Sequence, residues 1–250
     1  MSVRWLPAIS LVAVVILELA GCASAPETNE PTSVPAVPTN AASDQPTSTA
    51  ESTLDPYPGW TTYANESIGL SFRYPSTWFG PGVYEFEDGI RLAVGSDVVY
   101  PYGTSLEDRQ PGAPNAYGVV IQYTVNRAGW TLEQYRAEQP WFDDYLAVLD
   151  MQDGESSTTA RSLTMRERSL TVGRFTGVEF ITTLSETAQT ERFYMRTAFL
   201  MDENLNVLQI AGSPENVEIT DPANWRAAFE SIDGANLATF RTLVESIQVE

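Results

Sequence analysis

At 250 residues, with 43% hydrophobic and 19% charged side chains, the chain has ordinary globular composition, and its length suits one well-buried core. Histidine and lysine are absent, all 14 basic residues are arginine and Cys22 is the one cysteine, which excludes Ser-His-Asp and Cys-His catalysis, lysine Schiff bases, P-loops, histidine metal sites and intramolecular disulfides. A net charge of −19 argues against nucleic acid, whose phosphates need neutralising, and against lying flat on anionic lipid.

The chain opens with Arg4 and an apolar run from Trp5 to Leu17. That run is too short to cross ~30 Å of hydrocarbon as a helix. It leads into Leu19-Ala20-Gly21-Cys22, which resembles the bacterial lipobox, where small residues enter a peptidase groove and the thiol is alkylated by a diacylglyceryl group. The resemblance implies a signal peptide over residues 1–21, removed on export. It also implies a lipid anchor on Cys22 that holds the protein to a bacterial membrane on the extracytoplasmic side. Residues 22–58 follow as a tether rich in Pro, Ser and Thr, with no arginine and no aromatic before Tyr57. Such a segment buries too little to offset its ordering entropy and is expected to be disordered, with a reach of ~30–35 Å.

The globular domain is expected over residues 59–250. Ile68, Leu70, Phe72 and Tyr74 alternate with small or charged residues, the pattern of a half-buried strand that Pro75 ends. Tyr84–Glu87 and Ile90–Val99 read as a hairpin around Asp88-Gly89, 101–114 as a polar loop, and Tyr117–Val125 as a further strand. Thr131 and Gln134 are spaced as a capping box for a helix that Pro140 should kink or split. Strands are expected over Ser162–Leu170, Arg174–Leu184, Glu191–Met201 and Val207–Ala211, with Asp202-Glu203-Asn204 as a turn. Asp221-Pro222 opens a helix carrying Trp225, Phe229 and Ile232, and a second helix is expected from Asn236 through Leu237, Phe240, Val244 and Ile247. The order predicts an α+β domain, an antiparallel sheet flanked by helices as an α/β/α sandwich.

The stretch Gly69-Leu70-Ser71-Phe72-Arg73-Tyr74-Pro75-Ser76-Thr77-Trp78 resembles the opening of PsbP-like domains, the family of the photosystem II extrinsic protein, with its Mog-type fold. The later segments Leu132 to Tyr135, Val172 to Gly177 and Val244 to Ile247 follow in similar order. The resemblance covers about residues 60–250 and implies a non-enzymatic assembly or binding role for a protein or envelope partner. Some relatives bind metal through histidine, which this chain lacks, so no metal residue and no cofactor carries over.

Several clusters invite a chemical reading. Between acidic flanks, residues 161–201 carry six arginines against four acids. Arg166 and Arg168 would share a strand face, as would Arg192 and Arg196, making a candidate patch for a small anionic ligand, a glycan or an acidic partner. The alternative is pairing across strands with Glu167, Glu179 or Glu191. Asp202-Glu203-Asn204-Leu205-Asn206 resembles a calcium loop but has Val207 where glycine is required, so a hairpin tip is expected. Asp143, Asp144, Asp150, Asp153 and Glu155 could coordinate calcium weakly, but adjacent carboxylates on a helix diverge by about 100°, so a solvated acidic face is expected. Glu85 and Glu87 on one strand side, with Asp88, leave a carboxylate hydrolase open as a distant alternative. The aromatics Tyr57, Trp60, Tyr63, Tyr74, Trp78 and Phe79 are expected to pack rather than to stack on sugars.

Overall fold

The protein is described by a computed structural model over residues 57–250, apart from 102, 106–107, 111, 140, 160–161 and 187–191. The expected signal peptide 1–21, the expected lipidation site Cys22 and the expected tether as far as residue 56 lie outside the described residues. No helix among the described residues is long and apolar enough to cross a membrane.

Among the described residues, two antiparallel sheets and three α-helices make up the domain. β1 (Trp60–Asn65) and β2 (Leu70–Pro75) pair as a hairpin, with Tyr63 opposite Phe72, and a short β11 (Gln248–Val249) adds to the other edge of β2. The larger sheet has eight strands: β3 (Phe79–Phe86), β4 (Gly89–Gly95), β5 (Ala116–Thr124), β6 (Ser156–Thr158), β7 (Ser162–Val172), β8 (Phe175–Leu184), β9 (Phe193–Met201) and β10 (Val207–Glu215). Their order is β3-β4-β5-β10-β9-β8-β7-β6. Helices α1 (Leu132–Glu138) and α2 (Trp141–Leu149) interrupt the strands, and α3 (Trp225–Glu245) follows them.

Alternation decides which face each residue meets. Ile90, Leu92 and Val94 of β4 and Tyr117, Val119, Ile121 and Tyr123 of β5 are buried, and they join Phe240, Leu243 and Val244 of α3 and the β1–β2 hairpin in the largest core cluster. On the opposite face Val178, Phe180, Phe199 and Val207 pack against Tyr135, Phe142, Tyr145 and Val148 of α1 and α2. β9 is accordingly buried without a break from Tyr194 to Leu200, whereas β5 keeps strict alternation. The two short helices reach only part of their face and leave the β4–β5–β10 region uncovered. Gly212 on β10 permits the close seating of α3, because a Cβ there would stand 2.4 Å from Tyr117 Oη and 2.8 Å from the Phe240 ring.

The structure departs from the sequence-based expectations at the β3–β4 turn, in the C-terminal helix and in three short strands. Phe86 pairs with Gly89, so the β3–β4 turn is Glu87-Asp88, one residue earlier than the Asp-Gly dipeptide suggests. Gly89 is instead constrained by β5, since a Cβ would lie 2.0 Å from the Tyr123 carbonyl oxygen. The two expected C-terminal helices are one 21-residue helix running straight through Gly234, and Asp221 caps only the 3₁₀ turn Pro222–Asn224 before it. Residues Trp60–Asn65, Ser156–Thr158 and Gln248–Val249 are strands that no pattern announced. The capping box of Thr131 and Gln134 forms, and the helical run breaks into α1 and α2 around residues 139–140.

Candidate functional site

The four arginines of the expected patch do not share an open surface. A bulge in β7 sets Arg166 opposite Phe180 and Arg168 opposite Glu179, so the two arginines fall on opposite faces of the sheet. Arg166 turns toward α2, donates to the carbonyls of Leu149 and Met151 beyond its last turn, and pairs with Asp153 at 3.0 Å. Arg192 pairs with Glu186 at 3.1 Å. Arg168 and Arg196 lie under or beside α3, where carboxylates hold both.

That second location is a closed ion cluster. Arg196, 3% exposed, places Nη2 2.7 Å from Asp233 of α3 and Nη1 2.6 Å from Glu179 of β8. Tyr117 and Tyr194 each donate a hydroxyl to Asp233 at 2.9 Å, and Arg168 and Arg241 close on Glu179 at 2.7 and 2.9 Å. Burial raises both tyrosine pKa values, and the Asp233 charge raises them further, so both hydroxyls remain donors. For Arg196 burial acts to lower the pKa, but its bonds to Asp233 and the Glu179 charge outweigh that and hold it above its ordinary value. Every charge here faces an opposite one, and the cluster joins α3 to the sheet.

The other carboxylates behave as turn and surface groups. Asp202 accepts from the backbone of Asn204 and Asn206 and pairs with Arg174 at 2.9 Å, the pattern of a hairpin tip. Asp143 pairs with exposed Arg136, and Glu155 accepts from the Gln152 amide. Among the described residues no group of three or more His, Cys, Asp or Glu is placed to hold a metal. Glu87 sits in the turn, so it does not share a strand side with Glu85, which instead accepts from Asn65. Tyr74 is buried, Trp60, Tyr63 and Trp78 pack against the core, and only Phe79 of that aromatic group stands well exposed.

The surface with binding geometry is a cleft of about 240 Å³ on the uncovered part of the sheet. Its floor is a row across three strands: Arg91 of β4 lies opposite Gln122 of β5, which lies opposite Gln209 of β10. Arg91 donates from Nε and Nη2 to Gln122 Oε1 at 3.1 and 2.8 Å, so both planar groups are fixed. Gln209 has no side-chain hydrogen-bond partner among the described residues. Trp130, Tyr135 and Trp141 form an aromatic wall, and Phe86, Asp88 and Arg127 also line the cleft.

The wall is held from behind. Asn126 accepts from the Trp130 amide, donates to the Trp130 and Asn204 carbonyls, and is itself bonded through its own amide to Asn206, which ties the wall to the β9–β10 turn. Trp141 Nε1 donates to Gln139 at 2.8 Å, and the Trp130 and Tyr135 rings meet edge to face at 5.1 Å. Burial raises the Tyr135 pKa, with Asp88 and Asp202 adding to it, so its hydroxyl stays protonated. Of these lining residues the sequence singled out Asp88, as a companion of Glu85 and Glu87 in a possible carboxylate site, and none of the others as a binding group. Arg91, Gln122 and Gln209 are the polar positions of strands whose alternate residues are apolar, and that parity was the available signal.

No family model and no curated protein matches this chain. Among solved structures, the solution structure of cyanobacterial PsbP (CyanoP) from Synechocystis sp. PCC 6803 is similar, at 12% identity and a TM-score of 0.33, covering 77% of this chain and 93% of that one.

Proposed function

We propose that this chain is a membrane-anchored extracytoplasmic lipoprotein whose folded domain, PsbP-like in its opening motif, binds a ligand and carries out no covalent chemistry of its own. The observation that carries the binding reading is the cleft: fixed polar groups on a rigid sheet floor beside a braced aromatic wall. Asp88 is the one carboxylate lining it, while hydrolysis of glycosides uses a pair. Histidine, lysine and thiol chemistry are absent from residues 57–250 by composition. The anchor rests on Cys22, the sole thiol of the chain, at the position the lipobox pattern requires.

A second reading, docking of a protein or envelope partner, is favoured by the edge strand β3. There Phe79 and Val83, with nearby Val98, are 48%, 45% and 51% exposed on an unpaired sheet edge. The two readings separate by melting the full-length protein against a panel of small polar ligands. A saturable rise in Tm that Gln209→Ala removes supports the cleft, whereas no shift from any ligand favours docking. The anchor is tested by fractionation and mass spectrometry: a Cys22→Ser protein that remains equally membrane-bound and unlipidated overturns it.

A further inference from the structure

We infer that the cleft takes a small organic monocarboxylate with a flat apolar body, its carboxylate on Arg127 and its body against Trp130 and Trp141. This rests on the cleft being the binding surface, and it names the class of occupant. The volume of about 240 Å³ falls just below the ~300–1,000 Å³ of pockets for drug-sized ligands, so the occupant is small.

Arg127 selects the charge. It lines the cleft, stands exposed, and has no hydrogen bond, ion pair or ring contact among the described residues. The other described arginines are all engaged. Seven pair with carboxylates, Arg91, Arg109 and Arg226 donate to neutral oxygens, and Arg73 lies over the Tyr57 ring. In a chain with 33 acids against 14 arginines, carboxylates are plentiful, and the one guanidinium left open stands at the cleft. Its planar fork matches the two oxygens of a ligand carboxylate.

The donors beside it agree. Tyr135 is 6% exposed, yet its hydroxyl has no partner among the described residues and is not sealed from water, so it opens into the cleft. A carboxylate oxygen would accept from it and supply the bond that a buried hydroxyl ordinarily has. Gln209 keeps its amide unpaired on the floor and adds a further donor. Asn126, Gln122 and Gln139 are by contrast bonded within the protein, and Arg91 is closed on Gln122.

Asp88 limits the charge to one. The lining holds two guanidiniums, Arg91 and Arg127, against that single carboxylate, an excess of positive charge in a protein of net −19. Asp88 forms no ion pair with either, so a second negative charge on the ligand would meet its repulsion. The body of the ligand is set by aromatic surface. Trp130, Trp141 and Phe86 are half-buried and offer apolar ring surface on which a flat group packs.

The test titrates the full-length protein in detergent micelles with benzoate and 3-phenylpropanoate, with their uncharged amides, and with acetate, citrate and inorganic phosphate. Binding is read by tryptophan fluorescence and calorimetry. At least one aromatic carboxylate is expected to saturate, about tenfold tighter than its amide, as a charge-assisted pair requires. Arg127→Gln should remove that preference at unchanged Tm, and Tyr135→Phe should weaken the acid severalfold. Amides that bind as tightly as the acids, or tightest binding by citrate or phosphate, overturn the monocarboxylate assignment and leave the cleft as a binding site. Acid binding that Arg127→Gln leaves intact overturns the assignment to Arg127. Absence of all binding overturns the assignment together with the ligand reading of the cleft.

Discussion

The two faces of the eight-stranded sheet both carry arginine, and they use it in opposite ways. Under α3, Arg196 is closed among Asp233 and Glu179 with tyrosine hydroxyls filling the remaining lone pairs. On the uncovered face, Arg91 lies half-buried against a neutral amide. Covering decides the difference. Once a helix seals a charge from water, its desolvation must be offset by a full set of opposite charges and donors, so the buried face becomes a structural joint. Where α1 and α2 stop short, polar side chains keep bonding capacity that a ligand can take up. The same sheet thus has a face closed by a helix and an open strip, which we propose serves recognition.

The comparison breaks most readily at the two arginines. Arg196→Ala strands Asp233 as a buried charge without its cation, while Glu179 keeps Arg168 and Arg241, and should cost about 3–5 kcal/mol of unfolding free energy. Arg91→Ala removes the bond to Gln122 at a half-open site and should cost about 1 kcal/mol, well below the Arg196 variant. Urea denaturation of both variants measures the contrast, and equal costs would show that the faces do not differ as described. Tyr117→Phe removes one of the donors to Asp233 at constant shape and should cost about 1–3 kcal/mol, read in the same way.

Acid tests the closed face as a unit. Burial pushes the Glu179 carboxyl up, but bonds from Arg241 and Arg168 and the charge of Arg196 outweigh it and hold the pKa below its ordinary 4.5. A folded-state pKa below the unfolded one gives stability that is complete above pH 4.5 and is lost as pH falls through the lower, folded value. Asp202 is depressed too, against its own burial, by Asn206 and Arg174, and acts with the same sign. Unfolding free energy should therefore fall below about pH 4.5, and Glu179→Gln should flatten that acid limb in part while Asp202 sustains the rest.

Much of the frame was legible because it depends on local pattern. The alternation of Ile68 to Tyr74, the capping box at Thr131 and the turn at Asp202 are each set by residues within a few positions of one another. What escaped depends on distant partners. The helix break expected near Asn236 does not occur because Asp233, polar in sequence, faces inward to Arg196, 37 residues away. The β7 bulge that separates Arg166 from Arg168 adds one residue against a partner strand, which parity along a single strand cannot show. The cleft floor required knowing that β5 pairs with β10, so that Gln122 and Gln209, well apart in the chain, lie side by side. The proposed anchor at Cys22 lies outside the described residues and stands on sequence alone.

A further small effect separates the folding of α1 from the placing of the aromatic wall on the open face. Thr131 Oγ1 accepts from the Gln134 amide, and the Gln134 side chain returns the bond to the Thr131 amide, so the box starts α1 directly after Trp130. Thr131→Ala should cost about 1 kcal/mol, as loss of a helix cap does. Yet Trp130 is pinned separately by Asn126 to the β9–β10 turn. The wall should therefore loosen at Tyr135 while Trp130 stays in place. Amide hydrogen exchange should show faster exchange in residues 132–138 with little change at Trp130. If Trp130 loosens equally, the cap and not Asn126 positions the wall, and the open face owes its order to the helix rather than to the sheet.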